Sequence, residues 1–206
     1  MGMPNSCFVG LDLGQAADYS AIAILERQGI GEDVPLLCRH LQRWELRTSY
    51  PAIVADTARM MNSAEVQRIA GRMRPVLAVD ATGVGAPVID LLKREPMKAQ
   101  LEPIQITGGD SVTREYGLTR VPKRDLVSAA QVALQTERLK IAEELPEAQT
   151  LVRELENFQV KINLDTAHDS YGAWREGTHD DLVLAVSLAL WIAKNGQDNT
   201  CIVFRR

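Results

Sequence analysis

Two hydrophobic periods alternate along the chain. Short, nearly continuous apolar runs are typical of buried strands, whereas apolar positions that recur every three or four residues indicate one face of a helix. The apolar runs predict five strands, at 7–13, 20–27, 35–47, 75–80 and 101–107. The helical spacing predicts helices at 51–71, 86–95, 122–139, 145–158 and 179–194. Two short segments around a polar turn, 159–164 and 170–176, predict a late hairpin, and 107–121 is expected to be a glycine-containing loop.

The order of these elements predicts the fold class. The first two strands are separated by a short turn of small residues, which predicts an antiparallel hairpin. The alternation of helices and strands that follows implies parallel crossovers. We therefore expect an α/β fold with a mixed five-stranded sheet, flanking helices and the added late hairpin. The final helix is apolar nearly all round, so we expect it to lie inside the fold.

The length and composition of the chain predict a single soluble domain. The chain has 206 residues, is 46% hydrophobic and has no linker-like tract, so we expect one domain over 1–206, with a core at about 7–194 and a short tail at 195–206. The three cysteines are far apart and lack CxxC spacing, which suggests neither a disulfide framework nor a zinc site. No signal peptide is recognisable, and the longest apolar run, 182–193, is too short to span a bilayer. A cytoplasmic protein with no membrane partner is the expectation.

The net charge is compatible with nucleic-acid binding through a local basic surface, but not through the whole surface of the protein. A formal net charge of -4 argues against a protein that grips nucleic acid with its whole surface. Basic residues nevertheless gather in two stretches, with the acids expected elsewhere: Arg72, Arg74, Arg114, Arg120, Lys123 and Arg124. The cluster predicts either a basic groove or an ordinary solvated surface.

Carboxylates stand where apolar elements meet glycine-bearing turns. Asp12 ends the first predicted strand, Asp80 ends the fourth, and Asp180 with Asp181 opens the final helix. Because the carboxyl ends of parallel strands share one edge of a sheet, Asp12 and Asp80 should meet if their strands are neighbours. Clustered carboxylates repel one another unless cations lie between them, and oxygen ligands suit magnesium or manganese. Two such ions can activate water and clamp a phosphodiester for hydrolysis.

Each carboxylate also has a structural interpretation. Asp12 and Asp80 are both suited to initiating turns, and Asp80 could instead meet a ribose. The segment around Asp181 matches a helix capping box in which Thr178 is the N-cap and Asp181 stands at N3. His179 is either an auxiliary ligand or proton carrier, or an ordinary histidine at a helix terminus. The joint occurrence of the carboxylates in this strand order is what favours a metal site.

Other catalytic motifs do not occur in the chain. There is no GxSxG nucleophile elbow, which removes support for a serine hydrolase. There is also no GxxxxGK[ST] loop, so the chain carries no P-loop motor.

Four stretches together resemble a known family. They are "VGLDLG" at 9–14, "LAVDATGVG" at 77–85, "VPKRDLVSAAQVAL" at 121–134 and "YGAWREGTHDDLVLAVSLALW" at 171–191. In this order they resemble the C-terminal nuclease domain of phage large terminase subunits, which has the ribonuclease H-like fold. The resemblance runs over nearly the whole chain, and its most specific part is "GTHDDLVLAVSLALW".

The resemblance implies a metal-dependent endonuclease that cuts double-stranded DNA during genome packaging. Asp12, Asp80 and one or both of Asp180 and Asp181 would hold the metal ions, with a slight preference for Asp181. Lys123 and Arg124 would contact backbone phosphate, and the late hairpin would lie beside the DNA groove. A packaging ATPase, a portal or a small terminase subunit would be partners, in a phage-derived protein acting in a bacterial cytoplasm. The packaging ATPase itself has no counterpart in this sequence.

Three other functions remain open at the level of sequence. A Holliday-junction resolvase would share the fold class but require a dimer. An actin-like kinase or ATPase shares the "GLDLG" hairpin but needs a second half for which 206 residues are too few. A non-catalytic packaging module would have no reason to keep the full set of acids.

Overall fold

One mixed sheet forms the centre of the computed structural model, which describes residues 5–14, 18–29, 31, 33–83, 85–157 and 180–195. Within these residues the strands are β1 (Asn5–Asp12), β2 (Ala21–Gln28), β3 (Leu36–Arg43), β4 (Val76–Asp80), β5 (Gln100–Thr107), β6 (Thr113–Glu115), β7 (Leu118–Pro122) and β8 (Leu139–Ile141). The helices are α1 (Tyr50–Asn62), α2 (Ala64–Ala70), α3 (Gly85–Arg94), α4 (Lys123–Gln135), α5 (Ala148–Asn157) and α6 (Asp181–Asn195). The strand order is β6-β7-β5-β4-β1-β2-β3-β8.

The five predicted strands are contiguous in this sheet. β1 pairs antiparallel with β2, as the small-residue turn indicated, and β2 also pairs antiparallel with β3. β4 pairs parallel with both β1 and β5. The predicted mixed α/β fold is therefore confirmed. Since β1, β4 and β5 run in the same direction, their carboxyl ends lie at one edge, which we call the carboxyl edge.

Three short strands lie beyond the predicted five. The segment expected to be a loop at 107–121 contains β6 and β7, which form a hairpin around Tyr116 and Gly117. Both turn residues have positive φ, 51° and 75°, which matches the twist of a two-residue hairpin. β8 pairs parallel with β3 and begins at Leu139, where the sequence predicts the end of a helix. Three-residue strands are stabilised by their neighbours in the sheet. They are too short to show the alternating hydrophobic pattern by which a strand is predicted.

Two of the differences between the predicted and observed helix boundaries arise inside a predicted helix. The predicted helix at 51–71 is divided at Ser63, whose backbone is extended and whose Oγ accepts a hydrogen bond from the Val66 N–H at 3.2 Å. α4 ends at Gln135 instead of 139, and Glu137 follows with a φ of 53°. In both cases the helix ends although the helical spacing of apolar residues continues in the sequence.

Helices cover both faces of the sheet. Alternate residues of β1 belong to different core clusters: Phe8 packs with α4, α5 and α6, whereas Val9 packs with α1, α2 and α3. This alternation is the two-residue period of a strand buried on both sides. The apolar helix α6 is buried along nearly its whole length, as predicted. It lies very close to the sheet at Gly10, where an added Cβ would lie 1.9 Å from the Ala185 carbonyl oxygen.

Some predicted features lie outside the described residues. They are the late hairpin at 159–176, His179, Thr178 and all but the first residue of the tail at 195–206. Among the helices that are described, none has the length and apolarity needed to cross a membrane.

Candidate active site

Asp12 and Asp80 lie side by side at the carboxyl edge. β1 and β4 are parallel neighbours, and Leu11 stands opposite Val79, so the next residues in register are Asp12 and Asp80. Adjacent strands are about 4.8 Å apart. Both side chains are buried, with 4% of Asp12 and 3% of Asp80 exposed.

Strand alternation turns both carboxylates toward α6. Asp12 is two residues after Gly10, whose missing side chain faces α6, and Asp80 is two residues after Ala78, which packs in the same cluster as α6. Residues two apart on a strand point to the same face. The two carboxylates therefore lie on the α6 face of the sheet.

The direction of α6 brings Asp181 to the same place. Near its middle, Ala185 and Ala189 lie against Gly10 of β1. At its end, Arg27 Nη1 donates a hydrogen bond to the Ala193 carbonyl oxygen at 3.1 Å, and Arg27 stands opposite Ser6 near the start of β1. These contacts mean that α6 runs antiparallel to β1, so its first residues lie above the end of β1. Asp181, which is 4% exposed, is at that end.

The structure separates Asp180 from Asp181. The first backbone hydrogen bond of α6 runs from the Leu184 N–H to the Asp180 carbonyl oxygen at 2.9 Å, which makes Asp180 the N-cap and Asp181 the first helical residue. The predicted capping box, with Asp181 at N3, is therefore wrong, because the helix begins two residues later than the sequence indicated. Asp180 is half-buried, whereas Asp181 is buried.

A further acidic residue, Glu154 of α5, lies at the start of α6 and was not predicted. Its Oε2 accepts hydrogen bonds from the backbone N–H groups of Leu182 at 2.9 Å and Val183 at 3.2 Å. Burial raises the pKa of Glu154 to about 7, and the negative charge of Asp181 acts in the same direction. The signal available in the sequence was its position three residues after Leu151, on the apolar face of an amphipathic helix.

Asp80 also makes the turn contact that the alternative interpretation expected. Its Oδ1 accepts a hydrogen bond from the Thr82 N–H at 2.8 Å. A carboxylate offers several lone pairs on two oxygens, so a turn bond and a metal bond are compatible. Near Asp12, the Tyr50 hydroxyl donates to the Gly14 carbonyl oxygen at 3.1 Å. Burial raises the pKa of Tyr50, and the charge of Asp12 raises it further.

The donor chemistry at this edge suits a hard divalent cation. Asp12, Asp80 and Asp181 supply only oxygen ligands, which magnesium and manganese prefer. The side chains are not gathered into a ready coordination sphere: in the part of the chain that the structure describes, no three His, Cys, Asp or Glu residues form a group able to hold a metal ion. The backbone thus brings the three carboxylates to one edge, whereas ion binding would need their side chains to converge.

Comparison with known protein families identifies the family of this chain. The family model for the terminase RNase H-like domain matches residues 9–191. The chain belongs to this family. A search of curated protein sequences finds no match.

Solved terminase nucleases share the fold. The large terminase nuclease from thermophilic phage G20c is 18% identical with a TM-score of 0.56, over 90% of this chain and 81% of that chain. The human cytomegalovirus terminase nuclease domain is 14% identical with a TM-score of 0.59, over 94% and 85%. The P22 large terminase nuclease domain is 10% identical with a TM-score of 0.58, over 94% and 84%. The resemblance stated from the sequence is confirmed, together with the ribonuclease H-like fold.

The basic residues of this terminase-type domain do not form one cluster. Arg72 and Arg74 precede β4, so they lie at the edge opposite Asp80, about 13 Å or more away along a five-residue strand. Lys123 follows Pro122, which pairs with Thr107 at the carboxyl end of β5, so Lys123 is at the carboxyl edge. The sequence-based grouping of all six residues is therefore wrong, because it followed spacing along the chain and not the path of β4.

Acids also lie among the basic residues, contrary to expectation. Arg120 Nη1 is 2.9 Å from Glu115 Oε2, and Arg124 Nη1 is 2.8 Å from Asp110 Oδ1. Arg114 is exposed on β6. Each arginine pair is partly open to solvent, so a phosphate could exchange with the carboxylate at little cost.

Proposed function

We propose that the chain is a metal-dependent endonuclease that hydrolyses DNA phosphodiesters with two magnesium or manganese ions. Asp12, Asp80 and Asp181 are the proposed metal ligands, with Asp180 in a supporting role. The observation that carries the proposal is the arrival of three buried carboxylates, from β1, β4 and α6, at one edge of the sheet. Carboxylate oxygens are ligands that magnesium and manganese prefer. Membership of the terminase nuclease family supports the same function.

The carboxylates from the strands and the carboxylate from α6 have different proposed roles at this site. Bound divalent ions would activate a water molecule and neutralise the charge that develops on the phosphate. Asp12 and Asp80 sit on rigid neighbouring strands, so they would fix the position of the ions. Asp181 comes from a different element and would complete the ligand set only when α6 is correctly seated on β1. Manganese was soaked into crystals of the human cytomegalovirus nuclease, which supports the choice of metal.

Double-stranded DNA is the proposed substrate, bound through its phosphates. Lys123 and Arg124 open α4 beside the carboxyl edge, and Arg114 and Arg120 lie on the adjacent hairpin. Contacts of this kind position the backbone without reading sequence. We place this activity in genome packaging in a bacterial cytoplasm, with a packaging ATPase, a portal or a small terminase subunit as partners. His179 remains a candidate auxiliary residue.

Plasmid cleavage with a matched pair of variants tests the proposal. The purified chain should nick and linearise supercoiled plasmid with magnesium or manganese but not with chelator. Asp80→Asn should lower the rate at least about 100-fold, because an amide is a weak ligand for a hard cation. Asp90→Asn, at an exposed position on α3, should cut like the wild type. Full activity of Asp80→Asn would overturn the assignment, and a strong preference for four-way junctions over linear duplex would favour a resolvase.

A further inference from the structure

α6 depends on a side chain from another helix to complete its N-terminus. The first amides of any helix lack intrahelical acceptors. In α6, the amides of Leu182 and Val183 donate to the same oxygen, Glu154 Oε2, from a residue 28 and 29 positions earlier in the chain. This carboxylate is buried, with 6% of the residue exposed. In its ionised form the carboxylate also complements the positive end of the helix dipole.

The carboxylate of Glu154 is itself held in place from the sheet. Arg43, the last residue of β3, places Nη1 3.7 Å from Glu154 Oε1 and Nη2 3.4 Å from Glu147 Oε2. The Arg43 guanidinium also lies over the Tyr19 ring, 4.6 Å from its centroid. A continuous set of contacts therefore runs from β3 through Arg43 and Glu154 to the start of α6.

We infer that Glu154 is a positioning residue for Asp181. The two amides that Glu154 holds belong to the residues directly after Asp181, so the bonds fix the backbone on which the Asp181 carboxylate is carried. The role rests on the proposed function, because it matters for catalysis only if Asp181 binds metal. Glu154 acts through α6 and is not assigned as a ligand.

The expected effects follow from losing a contact that orients a ligand. Removing groups that orient metal ligands typically weakens metal affinity or activity about 10-fold to 100-fold. Glu154→Ala should therefore weaken Mn²⁺ binding and lower kcat by factors in this range, with KM for DNA little changed. Glu154→Gln keeps an acceptor oxygen of nearly the same reach, so it should recover a substantial part of both losses. Glu147→Gln is the matched control, because Glu147 contacts Arg43 but neither of the two α6 amides.

Three measurements on the full chain test the inference. Calorimetric titration with Mn²⁺ gives metal affinity without DNA, plasmid cleavage separates kcat from KM, and NMR hydrogen exchange at Leu182 and Val183 reports the cap itself. We expect faster exchange at both amides and weaker Mn²⁺ binding in Glu154→Ala, with intermediate values in Glu154→Gln.

The outcomes distinguish the two proposals. If the wild type binds Mn²⁺ and cuts DNA while both Glu154 variants match it, the positioning role is overturned and the nuclease stands. If the wild type neither binds Mn²⁺ nor cuts, the proposed function fails and this role fails with it. Equal losses in Glu154→Gln and in Glu147→Gln would show a general effect on stability and would also overturn the inference.

Discussion

Gly10 is the residue that allows α6 to lie close enough to the sheet for the candidate site to exist. An added Cβ would stand 1.9 Å from the Ala185 carbonyl oxygen and 2.9 Å from the Ala189 nitrogen, both backbone atoms. No side-chain rotation can relieve such contacts, so a substitution must move the helix. Because Asp181 is carried by that helix, a shift at Gly10 would also displace the candidate ligand from Asp12 and Asp80.

Gly10→Ala is accordingly expected to destabilise the fold by about 3 kcal/mol, at the upper end of the cost of overpacking a core. Gly108→Ala is the control, since no atom lies within 4 Å of an added Cβ there. Its stability should change by no more than about 0.5 kcal/mol. Urea unfolding of both variants measures the difference, and equal midpoints would show that α6 does not approach β1 as described.

At the scale of elements, the division of one predicted helix into α1 and α2 depends on capping. Two serines precede these helices with similar extended backbones, but their side chains act differently. Ser63 accepts a hydrogen bond from Val66, whereas the Ser49 side chain makes no capping bond. The periodic apolar pattern continues across Ser63, so the sequence alone indicated a single helix.

Ser63→Ala should lower the free energy of unfolding by about 1 kcal/mol, the usual cost of removing an N-cap. Ser49→Ala should cost clearly less, because no capping bond is lost. Thermal or urea denaturation of the two variants side by side checks this. A larger loss in Ser49→Ala would contradict the observed capping geometry.

At the scale of the whole molecule, a negative protein is proposed to bind DNA through a restricted surface. The net charge is -4, and only some of the basic residues lie near the carboxyl edge. Arg114, Arg120, Lys123 and Arg124 are on that side, while Arg72 and Arg74 lie at the opposite edge. Binding should therefore depend on few phosphate contacts and respond strongly to salt.

With about four phosphate contacts, DNA affinity should fall roughly 100-fold between about 0.05 and 0.2 M salt. Lys123→Gln should reduce the slope of log K against log salt by about 1, since one contact is lost. Arg72→Gln, at the opposite edge, should leave the slope unchanged. Fluorescence anisotropy with chelator present, which prevents cleavage, gives both slopes. A salt-insensitive affinity, or equal slopes for the two variants, would contradict the proposed binding surface.

Patterns within the sequence were enough to predict the five central strands, the buried final helix and the family resemblance, and they also indicated three candidate ligands. Asp12 and Asp80 were found because a strand end followed by a glycine turn is a local pattern, and Asp181 because it opens an apolar helix. Local hydrophobic periods carry this information directly.

Contacts between residues that are far apart in the chain became visible only in the folded structure. It separated Asp181 from Asp180 by burial, divided the basic residues between two edges, and showed Glu154 on the amides of α6. It also paired β8 with β3 and formed the β6–β7 hairpin. These features depend on contacts between positions far apart in the chain. The local hydrophobic pattern shows that a side chain is buried, but it does not show which distant polar group contacts that side chain.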